Sequence, residues 1–311
     1  MARTRKGRAV SGILLLNKSS GISSNRALQQ TKHLFNAQKA GHTGSLDPMA
    51  TGVLPICFGE ATKFSQYLLN ANKSYRAKLR LGVTTDTGDA EGQIISQSLP
   101  PLLSLEKIKQ VLSSFLGASE QVPPMYSALK HQGQPLYKLA RQGKTIERKK
   151  RPITITEISL VALYNQGDDE LTIEVSCSKG TYIRVLAEDI AKRLGSEAHL
   201  IELERVAVGG FDIKDAFDFQ DLQAKVIQNK IKLDSVLIPT EKAVNHLLKV
   251  ELSEIEEYHI RHGRKIAVSG LSPVVARLHG TQDEFLGVGE IDLDGQLSPK
   301  RLLSTAVITK N

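Results

Sequence analysis

Apolar and polar positions divide the chain into short, readable blocks. ILLL at 13–16 is a continuous apolar run closed by the turn-prone KSSG at 18–21, and it predicts a buried strand. Ser23 or Ser24 then caps a helix carrying Ala27, Leu28, Leu34 and Phe35. Residues 39–52, KAGHTGSLDPMATG, hold three glycines and a proline and predict a loop. Residues 53–58 read as a strand and 61–69 as a helix. In 74–83, SYRAKLRLGV, Tyr75, Ala77, Leu79 and Leu81 fall on one face and Arg76, Lys78 and Arg80 on the other. Residues 104–116 form an amphipathic helical pattern closed by Gly117. Residues 171–177 alternate again, turn at Ser178-Lys179-Gly180, and lead into a helix packing Ile183, Leu186, Ile190 and Leu194, with Gly195 as its C-cap.

Strands and helices are thus mixed without a regular strand–helix–strand repeat. The expectation is an α+β fold, a mixed and largely antiparallel sheet with flanking helices. Beyond Pro239 the pattern changes. VELSEIEEYHIRHGRKI predicts a helix ending at Gly263, followed by short strands punctuated by Gly and Pro. This predicts a small β-barrel-like unit over 250–311, appended to a main unit over 1–245.

Charge sharpens this picture. The 311 residues carry 41 Lys+Arg and 33 Asp+Glu, a net +8. Residues 1–10 contribute Arg3, Arg5, Lys6 and Arg8 without an acid. Residues 126–152 contribute Lys130, Lys138, Arg141, Lys144, Arg148, Lys149, Lys150 and Arg151 against Glu147 alone. The rest is slightly acidic. Two basic appendages on such a body point to a polyanion partner, against the plainer reading of lysines that only aid solubility. Clustering on a glycine-containing, loop-like segment favours nucleic acid, and neither appendage has the apolar helical face that a membrane surface would require. No apolar run approaches the ~18 residues of a membrane helix. No secretory signal pattern follows the basic start, so a cytoplasmic location is expected. Cys57 and Cys177 are too few for a disulfide scaffold or a four-cysteine zinc site.

Familiar cofactor and metal motifs do not fit. GHTGSLDPMATG lacks the Lys-Ser/Thr ending of a phosphate loop. TDTGDAEG opens like a calcium loop, but its twelfth position from Asp86 is Gln97 rather than a bidentate glutamate. The histidines show no paired metal spacing, so no metal site is expected. What remains is Asp47, between His42 and Pro48. An Asp-Pro is ordinarily a turn former, and composition alone leaves that reading ahead of catalysis. The loop is nevertheless long and rich in hydroxyls, with Thr43, Ser45 and Thr51.

GHTGSLDPMATGVLP (41–55) resembles the catalytic signature of the bacterial tRNA pseudouridine(55) synthase (TruB) family, whose members modify the T-loop uridine. LLLNKSSGISS (14–24) is similar to the family's opening strand and turn, with Ser19 where proline is usual. KSYRAKLRLGVTTDTGDAEG (73–92), QVPPMYSALKHQGQPLYKLARQG (121–143), CSKGTYIRVLAEDI (177–190) and AHLIELERVAVGGF (198–211) follow in the family's order. In the last, Glu204 stands where arginine is common, which implies one RNA contact fewer.

The resemblance implies that Asp47 is the catalytic carboxylate, oriented bidentately and kept acidic by Arg184. Tyr75 then stacks on the target base. Tyr182 supports the pocket, Leu203 packs on the uracil, Asp89 and Lys18 contact substrate, and His42 fills the stack vacated by the flipped base. The thumb-like segment at about 124–152 implies a clamp on the tRNA T-arm, through Lys130, Arg141, Lys144, Arg148, Lys149, Lys150 and Arg151. The C-terminal unit implies a PUA-type RNA-binding module. Isomerising uridine involves neither net redox change nor hydrolysis, so no cofactor is needed, and a monomer suffices. Two alternatives stay open. One is an RNA-folding chaperone using the same clamp, alone or alongside catalysis. The other, a nucleoside hydrolase or DNA glycosylase, would ordinarily need a second catalytic carboxylate.

Overall fold

A computed structural model of the chain describes residues 6–161, 169–268 and 270–304. Arg3 and Arg5 of the N-terminal basic run, and residues 305–311 of the expected C-terminal unit, lie outside them. A ten-stranded sheet runs, edge to edge, Phe217–Asp218, Gly12–Lys18, Thr51–Phe58, Ala198–Val208, Lys73–Leu81, Glu170–Cys177, Arg151–Leu160 and Gly117–Gln121. Ala40–His42 adds to Thr51–Phe58, and Phe211–Asp212 to Ala198–Val208. Two pairings are parallel, Gly12–Lys18 with Phe217–Asp218 and Ala198–Val208 with Thr51–Phe58; the others are antiparallel. The mixed, largely antiparallel sheet with flanking helices is therefore present.

Two faces of this sheet are covered differently. Under Lys73–Leu81, Ala77 and Leu79 meet Ile108, Val111 and Leu112 of the helix Leu105–Ser113, and Ile183, Leu186 and Ile190 of the helix Ile183–Leu194. On the opposite, solvent face, Arg76 pairs with Glu174 at 2.7 Å and Glu204 at 3.8 Å. Lys78 pairs with Glu170 at 2.5 Å, and Arg80 with Asp169 at 3.2 Å. Glu204 thus completes an ion-pair ladder on the face turned away from Tyr75. Gly12–Lys18 is buried on both sides. Leu14 and Leu16 join Ala27, Phe35 and Leu54, whereas Ile13 and Leu15 join Val53, Phe64 and Leu68. That two-sided burial is why its sequence is a run rather than an alternation.

Several local expectations are corrected. Residues 61–69 are not one helix: a 3₁₀ turn Gly59–Lys63 and a helix Ser65–Asn70 meet at Phe64, fully buried with its ring 5.4 Å from that of Phe285 and tilted 57° to it. The helical pattern at 104–116 ends at Ser113, because Gly117, at φ +96°, opens the edge strand Gly117–Gln121. Val250 and Glu251 belong to a strand, Leu248–Glu251, and the helix following it is Glu254–Arg261, started by a Ser253/Glu256 capping box. Within 39–52, Ala40–His42 is a short strand rather than loop.

The C-terminal strands form a separate five-stranded sheet, ordered Leu248–Glu251, Val274–His279, Phe285–Ile291, Gln296–Leu302 and Ile266–Ala267. It encloses Val250, Ile260, Leu278 and Leu286. Glu241, two residues beyond Pro239, is held by Arg277, and His279 Nε2 lies 3.2 Å from the same carboxylate without hydrogen-bond geometry. Lys63 Nζ donates to the Leu302 carbonyl at 3.0 Å, so polar and aromatic contacts together seat this sheet on the larger one.

Candidate active site

The loop that carries Asp47 is fastened from several sides. Ser23 accepts the N-cap bond of the helix Ser24–Leu34 from Arg26 N–H at 3.2 Å. Ser24 is thereby left free and buried, and its hydroxyl donates to the Leu46 carbonyl and accepts from the Leu46 N–H. The Gly21 N–H reaches the Pro48 carbonyl at 2.9 Å. The Ala50 N–H closes a turn on the Asp47 carbonyl at 3.1 Å. Asp47-Pro48 is therefore a turn former in its backbone, and that turn leaves the carboxylate unused. The carboxylate faces Arg184 instead, Oδ2 to Nε at 3.0 Å.

Arg184 is 5% exposed although it lies in the first turn of the helix Ile183–Leu194, so it is not a surface arginine. Its expected bidentate grip on Asp47 is corrected. Only Nε faces that carboxylate, while Nη1 donates to the Thr87 carbonyl and Nη2 to the Tyr126 carbonyl, each at 2.7 Å. Asp89 Oδ2 lies 3.5 Å from the same Nε. One guanidinium thus ties together the Asp47 loop, the 84–92 loop and the root of the basic segment.

The acidity expectation for Asp47 is corrected as well. Crowding by protein pushes its carboxyl above the ordinary aspartate value, and this outweighs the opposing pull of Arg184. The side chain keeps 41% of its surface open, so it is poorly solvated yet reachable. Such a group can be ionised at neutral pH and remain reactive.

Asp89 and Lys18 come to the site in supporting places rather than as free substrate contacts. Asp89 is 4% exposed, and its carboxylate accepts from the Thr87 hydroxyl at 2.6 Å and the Glu91 N–H at 3.1 Å. Lys18 is 1% exposed and donates to the carbonyls of Ser19, Ile22 and Pro48, which uses all three ammonium hydrogens. Burial lowers its pKa to about 8.

Tyr75 is half-buried and packs, with Leu203, on the cluster that contains Leu46 and Ala50. Its hydroxyl is pushed up by burial and pulled down by Arg205. Tyr182 is the N-cap of the helix Ile183–Leu194, its backbone clamped by the Gln121 amide on both N–H and carbonyl. His42 is half-buried with Nδ1 unpartnered, and burial together with Arg205 lowers its pKa, which favours the neutral ring.

Of the basic segment, Lys130, Arg141, Lys144, Lys149, Lys150 and Arg151 are exposed. Arg148 is half-buried with Nε unpartnered. The segment carries a two-residue hairpin and a short helix, Leu136–Ala140, anchored by buried Leu136 and Leu139. Arg151 already belongs to the sheet, opposite Gln121.

Sequence reasoning missed Gln121, Tyr126, Lys73 and Arg205. A signal existed for Arg205, which falls in phase with Leu203 on the apolar side of its strand. Among the described residues, no group of three or more His, Cys, Asp or Glu is arranged to hold a metal, and no helix is long and apolar enough to cross a membrane.

Comparison with known proteins places these residues in context. A family model described as TruB family pseudouridylate synthase (N terminal domain) matches residues 32–183. Those described as tRNA pseudouridylate synthase B C-terminal domain and Pseudouridine synthase II TruB, C-terminal match 184–245 and 249–303. The chain is 48% identical over 309 residues to the tRNA pseudouridine synthase B of Chromohalobacter salexigens, covering 98% of each chain. It is 47% identical to that of a Marinomonas species, covering 97% of each. A solved H/ACA RNP bound to a substrate RNA containing 2'-deoxyuridine has a chain of similar fold, with TM-score 0.73 and 22% identity over 98% of this chain and 92% of that one.

Proposed function

The chain belongs to the TruB family of pseudouridylate synthases, and from that premise we propose that it isomerises the uridine at position 55 in the T-loop of tRNA, in the cytoplasm. The observation that carries this reading is a reachable, desolvated Asp47 carboxylate against a buried Arg184, beside Tyr75. When the C1′–N1 bond breaks, an ionised carboxylate at C1′ stabilises the oxocarbenium charge. The freed ring turns and bonds through C5. No redox or hydrolytic partner enters, and every residue of the proposed site comes from one chain, so a monomer suffices.

Extruding the nucleotide leaves a gap in the RNA stack, and the neutral His42 ring is the flat group offered to fill it. Leu203 and Tyr182 bound the uracil. Asp89 and Lys18 serve by holding Arg184 and the Pro48 turn. We assign residues 1–245 to catalysis and 250–311 to a PUA-type RNA contact. Tritium release from tRNA labelled at uracil C5, mapped to position 55, tests the reading, and no release by the native chain overturns it.

The exposed cations of 130–150 favour a second, compatible role in gripping and refolding tRNA. Replacing 130–150 by a short Gly/Ser linker is expected to weaken tRNA binding and flatten its dependence on salt, since each lost phosphate contact lowers the log–log slope by about 0.7–0.9. Titrations at several salt concentrations check this, and an unchanged slope would reduce the cluster to surface solvation.

A further inference from the structure

Arg205 heads the fully buried side chains by volume, at 1% exposure, yet no described carboxylate lies within 4 Å of it. Burying a guanidinium without a counter-ion is expensive, so its surroundings need an explanation. Strand register sets Arg205 opposite Tyr75 on one side and Gly52 on the other. Gly52, at φ +104°, allows this approach, because a Cβ there would stand 2.3 Å from the Arg205 carbonyl oxygen. Arg205 Nε donates to the Val53 carbonyl at 2.7 Å and Nη2 to the Gly44 carbonyl at 3.2 Å, at the two ends of the Asp47 loop. The third group beside Arg205 is Tyr75, its cross-strand neighbour in register, and the guanidinium and the phenol each favour the other's charged form.

Both acceptors are neutral carbonyls; of the three groups around the guanidinium only Tyr75 can become an anion. A guanidinium has donors alone, so toward Arg205 the Tyr75 oxygen can only accept, which turns the phenolic hydrogen away from it. The charge is felt widely: Arg205 also pulls down the pKa values of Lys18, His42 and Lys73.

We infer that Arg205 is a positioning residue for Tyr75, aiming the phenolic proton at the substrate ring and stabilising the phenolate formed while that proton is on loan. This rests on the uridine-isomerase reading. In that reaction the C1′–N1 bond breaks, the C1′–C5 bond forms, C5 loses a proton and N1 gains one, without net change in electrons. Tyr75 lends its proton to the detached, negatively charged ring and takes the C5 proton in return, ending as it began. The Asp47 loop and the proton carrier are thereby held by one side chain.

Single-turnover rates on a T-arm stem-loop, with hydrogen or deuterium at uracil C5, test this in the full chain, with tRNA affinity and thermal melting measured alongside. Arg205→Lys is expected to lower the rate ~10²-fold at unchanged affinity, the scale of one positioned proton transfer. It should enlarge the C5 isotope effect and add nothing to the loss from Tyr75→Phe. Placing 3-fluorotyrosine, a more acidic phenol, at position 75 should restore part of the Arg205→Lys rate, which repair of a packing defect would not do. Full rate in Arg205→Lys, additive losses or absence of rescue would each overturn the proposal. If Arg205→Lys does not fold, the same fluorotyrosine in the otherwise native chain decides. A phenolate must form for the charge to matter, so a changed rate or isotope effect supports the proposal and indifference to fluorination overturns it. A native chain that releases no C5 hydrogen would remove the isomerase reading itself, whereas native turnover with a full-rate Arg205→Lys removes this inference alone.

Discussion

Asp47→Asn is expected to end tritium release from C5-labelled tRNA while leaving the fold and tRNA affinity in place. The substitution keeps the size of the side chain and the backbone turn that the Ala50 N–H makes on residue 47. It also leaves Arg184 provided for, since Thr87 and Tyr126 accept from its Nη atoms and Asp89 still faces Nε at 3.5 Å. What disappears is the anion. Removing a group on which the reacting atoms depend costs on the order of 10⁴-fold or more in rate. In the native chain the same carboxylate fixes the sign of the pH dependence. Burial raises the Asp47 carboxyl above its ordinary value, and in the proposed reaction the ionised form is the active one. Below the raised pKa the group is protonated and idle, so the rate climbs with pH along a limb displaced upward from that of an exposed aspartate. Release measured across pH at saturating enzyme checks both points. Turnover surviving in Asp47→Asn would remove the carboxylate from the mechanism. If binding also survives in that variant, the tRNA-gripping role stands apart from chemistry.

Much of this site could be read from the chain before its fold was known, and what could not be read has a physical pattern. The alternation of Tyr75, Ala77 and Leu79 gave the inward face directly, because one side of that strand is packed and the other carries the Arg76–Lys78–Arg80 ladder. Arg184 needed the resemblance, since helical spacing says which face a residue occupies but not that a loop from residues 84–92 closes over it. The bidentate geometry failed because the expectation counted only side-chain partners. Backbone carbonyls of Thr87 and Tyr126 claim both Nη groups. The acidity of Asp47 failed for a related reason: a sequence names the neighbouring charge but gives no measure of how much water the loop excludes. Lys18 shows the same limit. It lies beside a turn and looks available, and only the folded chain reveals three carbonyls converging on its ammonium. Elements misjudged at their ends, such as 104–116, did so where glycine served as a strand's first residue rather than as a cap.

The second large effect follows from how Arg184 divides its donors. Arg184→Lys retains a positive charge beneath Asp47 but replaces a planar group serving three directions with one ammonium at the end of a flexible stem. At most part of the set formed by Asp47, Thr87 and Tyr126 can then be held at once. Turnover is expected to fall ~10³-fold, the scale of losing one preorganised electrostatic donor in an active site. Affinity for tRNA is expected to stay near native, because the exposed lysines and arginines of 130–151 are untouched. Arg184→Gln should be worse in a diagnostic way. Without that charge only Lys18 still opposes burial and the Asp89 charge at Asp47, so the acid limb of the rate moves further up in pH. Asp89, 5% exposed, also loses its cation, and breaking a buried pair in this way costs about 3–5 kcal/mol of stability. Single-turnover kinetics across pH, paired with thermal melts and tRNA titrations, separate these outcomes. Lysine should lose rate without shifting the limb as far, and glutamine should lose rate, shift the limb and melt earlier. Equal turnover in Arg184→Lys would mean that charge alone suffices and that the link from the Tyr126 carbonyl, at the root of the basic segment, to the Asp47 carboxylate has no part in catalysis.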